Sequence, residues 1–246
     1  MQFSACNYEI KNSVATITLN RPDKGNAMNE QMINELRQII SSIADDVYVL
    51  CIKGAGKHFC TGADLQEMQQ GQNDPSKLAL LMKALSDLNI PIVAALQGAV
   101  FAGAMGLIAN SDIVIAEESA IFCLSEVKLG LIPAIISPYL IEAIGVRAAK
   151  RIMLSAERIS THEAQRIGLI HHVTPVGTLN DTLAEVINNL LANEPHALRA
   201  VKELCRDVIT LNPNDRVKFT AELLDQIRKT DAAQARLNAF FENKHV

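Results

Sequence analysis

Three short apolar runs, separated by helix-length segments, restrict what this chain can fold into more than any other feature. They are Val47-Tyr48-Val49-Leu50-Cys51-Ile52, Pro91-Ile92-Val93-Ala94-Ala95-Leu96 and Asp112-Ile113-Val114-Ile115-Ala116. Runs of this length, rich in β-branched residues, fit strands covered on both faces, as in parallel sheets. Parallel neighbours need long right-handed crossovers. Predicted helices supply them: Met28 to Ile43, with Met32, Leu36, Ile39, Ile40 and Ile43 on one face, then Ser76 to Leu88, and another starting near Gly103. An earlier segment, Asn7 to Leu19, alternates Val14, Thr16 and Thr18 against Ala15, Ile17 and Leu19 and reads as a strand. The order is that of an α/β fold.

Beyond Ala120 the pattern changes. A short strand and a loop punctuated by Pro133 and Pro138 lead to helices predicted at Ile144–Ser155 and Thr161–Arg166. From about Thr178 the chain reads as wholly helical, over Leu179–Asn193, Ala197–Leu211, Asp215–Arg228 and Ala232–Phe241. The division expected is an α/β core over 1–190 and a helical C-terminal region over 191–246. The tail's apolar stripes need a partner surface, either the core or another subunit.

Composition narrows the function classes. Hydrophobic residues are 49% of 246, so a large core is expected. A net charge of −4, no Trp and 4% aromatics give no reason to expect binding to nucleic acid or to an anionic membrane. The first residues lack a basic and apolar leader pattern. The stretch Ile92–Ala116 is interrupted by Gln97, Asn110 and Asp112, which argues against a membrane span. Five widely spaced cysteines without a C-x-x-C suit a reducing cytoplasm better than a disulfide framework or a zinc site. No histidine spacing suggests a metal.

Three segments hold candidate chemistry. Gln97-Gly98 through Gly103-Ala104-Met105-Gly106 joins a strand to a helix, where free N–H groups favour negative charge; close helix–strand packing explains the glycines equally well. Neither G-x-G-x-x-G nor a P-loop is present. Phe59-Cys60-Thr61-Gly62-Ala63-Asp64-Leu65 also precedes a helix, and Thr61 or Asp64 suits an N-cap. Glu126 is a carboxylate in an apolar run, either a catalyst, a solvated strand residue or a partner of Lys128.

In order and spacing these segments resemble the enoyl-CoA hydratase/isomerase, or crotonase, superfamily over nearly the whole chain. Leu19-Asn20-Arg21-Pro22 with Asn26-Ala27-Met28, then Phe59 to Leu65, Ala94 to Gly98 leading to Gly103, Phe122 through Glu126 to Pro133, and Ala164 to Ile170 each look like a family element. The resemblance implies a spiral of ββα units with a helical oligomerisation region, forming trimers or hexamers. It implies that the N–H groups of Ala63 and Gly103 hold the thioester oxygen of an acyl-CoA as charge builds there, each donor worth about 3 kcal/mol. Glu126 would be the acid/base. Lys24, Thr61, Gly62, Asp64, Leu65, Gly106, Pro133, Phe240 and Lys244 would contact substrate or coenzyme A. No metal or redox cofactor is implied; coenzyme A enters only as part of the substrate thioester.

One departure stands out. Well-known hydratases of the family carry a second glutamate where this chain has Gly106, whereas single-glutamate relatives include enoyl-CoA isomerases. The stretch Ser125 to Tyr139 is similar to bacterial methylglutaconyl-CoA hydratases of leucine breakdown, which implies hydration. A glycine at 106 is expected to open space for water or for a carboxylate of the substrate. A CoA-binding scaffold without catalysis and an RNA-binding protein are the other readings. The second would need a basic helix, but Met28–Ile43 carries only Arg37.

Overall fold

The alternating N-terminal segment is a hairpin, not one strand. In the computed structural model, which describes residues 3–71 and 74–242, strands β1 (Cys6–Lys11) and β2 (Val14–Leu19) pair antiparallel in the register Cys6↔Leu19 to Lys11↔Val14. Asn12 and Ser13 form the turn with φ of 51° and 62°. This is the two-residue, doubly left-handed turn that matches strand twist. Alternation runs on through such a turn, so the period alone does not reveal the reversal.

The larger sheet runs in the order β1, β2, β3 (Val49–Gly54), β4 (Ile92–Leu96), β6 (Ile113–Glu117), β9 (His172–Thr174), parallel from β2 onward. The apolar runs of the sequence are its centre. Successive side chains point to opposite faces. Leu50, Ile52, Ile92, Ala94 and Val114 therefore join the main core, while Val49, Cys51, Val93, Ala95 and Ile115 meet Leu183 and Val186 of helix α7 (Leu179–Leu191) on the other side. Helix α1 (Glu30–Ser41) buries Met32, Leu36 and Ile39 in the main core. A smaller sheet, β5 (Ala99–Phe101), β7 (Ile121–Cys123) and β8 (Ile159–Ser160), stands beside the first. Helices α2 (Leu65–Gln69), α3 (Pro75–Asp87), α4 (Gly103–Ala109), α5 (Ser137–Ser155) and α6 (Thr161–Arg166) fill the connections. Helix α5 starts earlier than its periodicity suggests because Pro138 sits in its first turn, where proline is tolerated; it breaks at Gly145, φ 74°.

Three further helices follow: α8 (Pro195–Val208), α9 (Pro213–Arg228) and α10 (Asp231–Glu242), none with a fully buried residue. Polar contacts tie α8 to the strand ends. Arg199 donates to the carbonyl of Asp45 at 2.7 Å, and Lys202 donates to Asp112 Oδ2 at 2.7 Å. Val217, Leu224, Leu237, Phe240 and Phe241 remain exposed.

Glu35 is a buried carboxylate on the core face of α1. It accepts the backbone N–H groups of Ser4 at 3.2 Å and of Ala5 and Cys6 at 2.9 Å. These bonds fasten the chain entering β1. Replacing Glu35 by Ala strands two buried N–H donors, each worth about 1–3 kcal/mol when unpaired. Urea unfolding of Glu35→Ala is expected to show a loss of about 2–4 kcal/mol; a loss below about 0.5 kcal/mol would mean that these bonds do not hold the edge strand.

Candidate active site

Two strand-to-helix turns lie side by side. Cys60 bridges Val100: Cys60 N–H donates to Ala99 O at 3.2 Å, and Phe101 N–H donates to Cys60 O at 3.0 Å. Gly62, at φ 103°, is pressed so closely on the neighbouring turn that a Cβ there would lie 2.9 Å from Ala102 Cβ. Gly98 is also obligatory, because at φ 60° its Cβ would lie 2.6 Å from His58 Nδ1. That same nitrogen accepts the Ala99 N–H at 3.1 Å, so His58 is a fastener of this turn.

A clasp from the loop after β2 holds the first turn. Asn26, fully buried, donates through Nδ2 to Ala55 O and His58 O at 2.8 Å and accepts Arg21 N–H through Oδ1. Thr61 N–H donates to Gly25 O, Met28 N–H to Gly62 O, and Asp64 N–H to Met28 O. Arg21 reaches Asp64 Oδ2 at 2.9 Å, while Asp64 Oδ1 accepts Gln66 N–H and caps α2. Burial works to raise the Asp64 carboxyl, but the Arg21 guanidinium and backbone donors outweigh it and hold the group below its ordinary range. Asp64 thus serves the capping role open to it in the sequence, with an ion pair added.

Ala102 takes a conformation that alanine rarely adopts, φ 50° and ψ −122°, immediately before α4. Its own N–H is held by Cys123 O at 2.8 Å, at the end of the strand leading to Glu126. This bond ties the Gly103 turn to the glutamate. The N–H groups of Ala63 and Gly103 donate to no protein acceptor among the described residues, and both residues line one cavity of about 1150 Å³. Unpaired N–H groups on a largely apolar cavity are donors available to a ligand oxygen.

Glu126 opens the 3₁₀ turn Glu126–Leu129 and lines the same cavity. Its Oε2 is buried with no hydrogen-bond partner among the described residues. Burial pushes the carboxyl up from its ordinary range, against a smaller opposing pull from its own backbone N–H. It pairs with no Lys128, so the ion-pair reading of the sequence falls.

Of the other expected contacts, Lys24, Thr61, Leu65 and Pro133 line the cavity with Asp64. Gly62 packs against the neighbouring turn and does not line it. Gly106 also lies off the cavity, and the open space expected there does not exist: Ile136 and Met82 fill it. Phe240 is exposed on α10 and does not line the cavity. Lys244 lies outside the described residues. Arg21, Asn26, His58 and Ala102 complete the site without having been singled out. Asn26 stands in a quoted motif, but nothing in its neighbourhood along the chain discloses its three side-chain bonds in the clasp, and an alanine gives no sign of a left-handed φ.

The enoyl-CoA hydratase/isomerase family matches residues 9–246. The short-chain-enoyl-CoA hydratase of Clostridium acetobutylicum is 30% identical, over 97% of this chain and 95% of its own. The enoyl-CoA hydratase EchA19 of Mycobacterium tuberculosis is 30% identical, over 93% and 90%. A solved enoyl-CoA hydratase from Shewanella pealeana is 39% identical and superposes with a TM-score of 0.92, covering 98% of this chain and 95% of that one.

Glu126 also has a stability signature. In the unfolded chain its carboxyl ionises near 4.5, in the folded chain at higher pH. As pH rises from the unfolded value through the folded one, the unfolded state releases its proton first, so this group subtracts stability in that window and above it. Glu126→Gln is therefore expected to melt with the wild type near pH 4 and roughly 1–4 °C above it at pH 7.5. Identical melting curves across that range would show that the carboxylate is solvated.

Proposed function

The chain belongs to the enoyl-CoA hydratase/isomerase family, and from that premise we propose that it hydrates a 2-enoyl-CoA thioester with an apolar acyl group. The observation that carries this reading is the Oε2 of Glu126, buried without a hydrogen-bond partner among the described residues, on the same cavity as the two N–H groups of Ala63 and Gly103 that have no protein acceptor there. The thioester oxygen accepts both N–H groups. Glu126 takes a proton from water as the water oxygen bonds to the β-carbon. The double-bond electrons move through the α-carbon to the thioester oxygen, where the two donors meet the enolate charge. Glu126 then returns the proton to the α-carbon and ends as it began, a carboxylate.

An acidic acyl group such as methylglutaconyl is supported less well. Its expected place beside Gly106 is taken by Ile136 and Met82, and among the described lining residues the one cation is Lys24, which is exposed. Met28, Ile33, Leu78, Ile135 and Ile136 surround the acyl group with hydrocarbon instead. We assign the adenosine phosphates of coenzyme A to the Lys24 end, since a point charge suits phosphate.

Isomerisation of the double bond is the second reading. Among the described lining residues no second carboxylate is unpaired, which favours it, because Asp64 is paired with Arg21 and Asp74 caps α3. One base within reach of two carbons suffices for that reaction. The two reactions separate in ¹⁸O-labelled water with crotonyl-CoA: a hydratase product gains one labelled oxygen, an isomerase product none. Labelled product is expected from the wild type, falling by about 10²-fold or more in Glu126→Gln. Absence of label from every conjugated enoyl-CoA tried would transfer the assignment to isomerase.

We also propose that the chain works as a trimer or hexamer. The exposed Val217, Leu224, Leu237 and Phe241 of α9 and α10 support this, since apolar residues at this density need cover. Light scattering on the eluted protein is expected to give three or six chain masses; a monomer would contradict the assembly.

A further inference from the structure

Gly106 sits on α4 one turn after Gly103, and two positions three apart lie on the same face of a helix, about 4.5 Å apart along it. A Cβ at 106 would overlap Ile136 Cγ2 and lie 3.0 Å from Ile136 Cβ and 2.8 Å from Met82 Sδ. Met82 is fully buried and Ile136 is 2% exposed. Asn110 Nδ2 donates to Gly106 O at 2.8 Å, which keeps this turn of α4 closed. Of Gly106, Met82 and Ile136, Ile136 alone lines the cavity that holds Glu126 and Gly103. At Gly103 itself, a Cβ would meet Met28 Cε at 2.8 Å and Leu78 Cδ2 at 4.0 Å. Met28, Leu78 and Ile136 therefore form one apolar wall along the two turns of helix that start at the free N–H.

We propose that Ile136 is the specificity-determining residue of this site. Its side chain takes the room that any side chain at 106 needs, and it closes the acyl end of the cavity with hydrocarbon where a second carboxylate would otherwise project. This rests on the reading that a thioester oxygen sits at Ala63 and Gly103. It adds that the single-carboxylate character of the site is set by a pair of positions, Gly106 and Ile136. The two positions are coupled: a larger residue at 106 has nowhere to go while Ile136 is present, and a smaller one at 136 opens the cavity toward Met82 and Gly106.

The test compares Ile136→Ala, Ile136→Val, Gly106→Glu and Gly106→Glu/Ile136→Ala with the wild type, each checked for folding by circular dichroism. For Ile136→Ala, the ratio of kcat/KM for 2-decenoyl-CoA to that for crotonyl-CoA is expected to rise about tenfold or more, in line with the worth of a few methylenes in an apolar pocket. Ile136→Val should move the ratio the same way by less, and it serves if the alanine variant does not fold. Gly106→Glu is expected to keep under about a tenth of wild-type activity or to misfold, and the double variant to recover about tenfold over it. An unchanged ratio in both folded Ile136 variants, or a fully active Gly106→Glu, overturns the proposal. Calorimetric dissociation constants for the saturated butanoyl-CoA and decanoyl-CoA read the wall without chemistry. If the wild type turns over no enoyl-CoA, hydration fails, yet a binding preference shifted toward decanoyl-CoA in Ile136→Ala still upholds Ile136. If neither saturated thioester binds the wild type, the Ile136 proposal falls as well.

Discussion

Everything at this site depends on the short parallel pairing between Cys60 and Val100. It brings together the turn that follows β3 of the larger sheet and the turn that follows β5 of the smaller one, and among the described residues the N–H groups of Ala63 and Gly103 have no protein acceptor. Unpaired donors in a folded interior cost free energy. They persist because neighbouring groups over-determine the backbone: the Asn26 and Arg21 clasp on one turn, and the Ala102 bond to Cys123 on the other. Under the proposed reaction, donors held in place in advance would need no reorganisation as charge develops on a bound oxygen.

The cavity treats its carboxylates oppositely. Asp64 is kept ionised by Arg21 and by its cap, and contributes to the architecture. Among the described residues the Oε2 of Glu126 has no hydrogen-bond partner, and burial drives the carboxyl toward the protonated form. Environments that push like groups apart in this way separate structural from chemical roles. Met28, Leu78 and Ile136 give the cavity that Glu126 lines an apolar wall.

Much of the fold is legible along the chain because its signals are local. The centres of β3, β4 and β6 announce themselves as apolar runs, and α6 falls on Thr161–Arg166, the span expected from the sequence. The hairpin at Asn12–Ser13 escapes because alternation has the same period on both sides of the turn. Glu126 stands out as a carboxylate in an apolar run, yet the run does not tell whether the side chain faces solvent, Lys128 or a cavity.

The sequence by itself determined the α/β class, the order of the elements, the family motifs and the positions of Ala63, Gly103 and Glu126, since periodicity, turn residues and motif spacing are properties of neighbours along the chain. Only the tertiary structure decided what those positions amount to. It put Ala63 and Gly103 on one cavity, left Glu126 Oε2 without a hydrogen-bond partner among the described residues, and gave Arg21 to Asp64. It also reversed the reading of Gly106. A missing side chain is empty space only if nothing else moves in, and whether Ile136 and Met82 do so is a matter of packing between helices remote in sequence, where close-packed interiors leave no room unfilled.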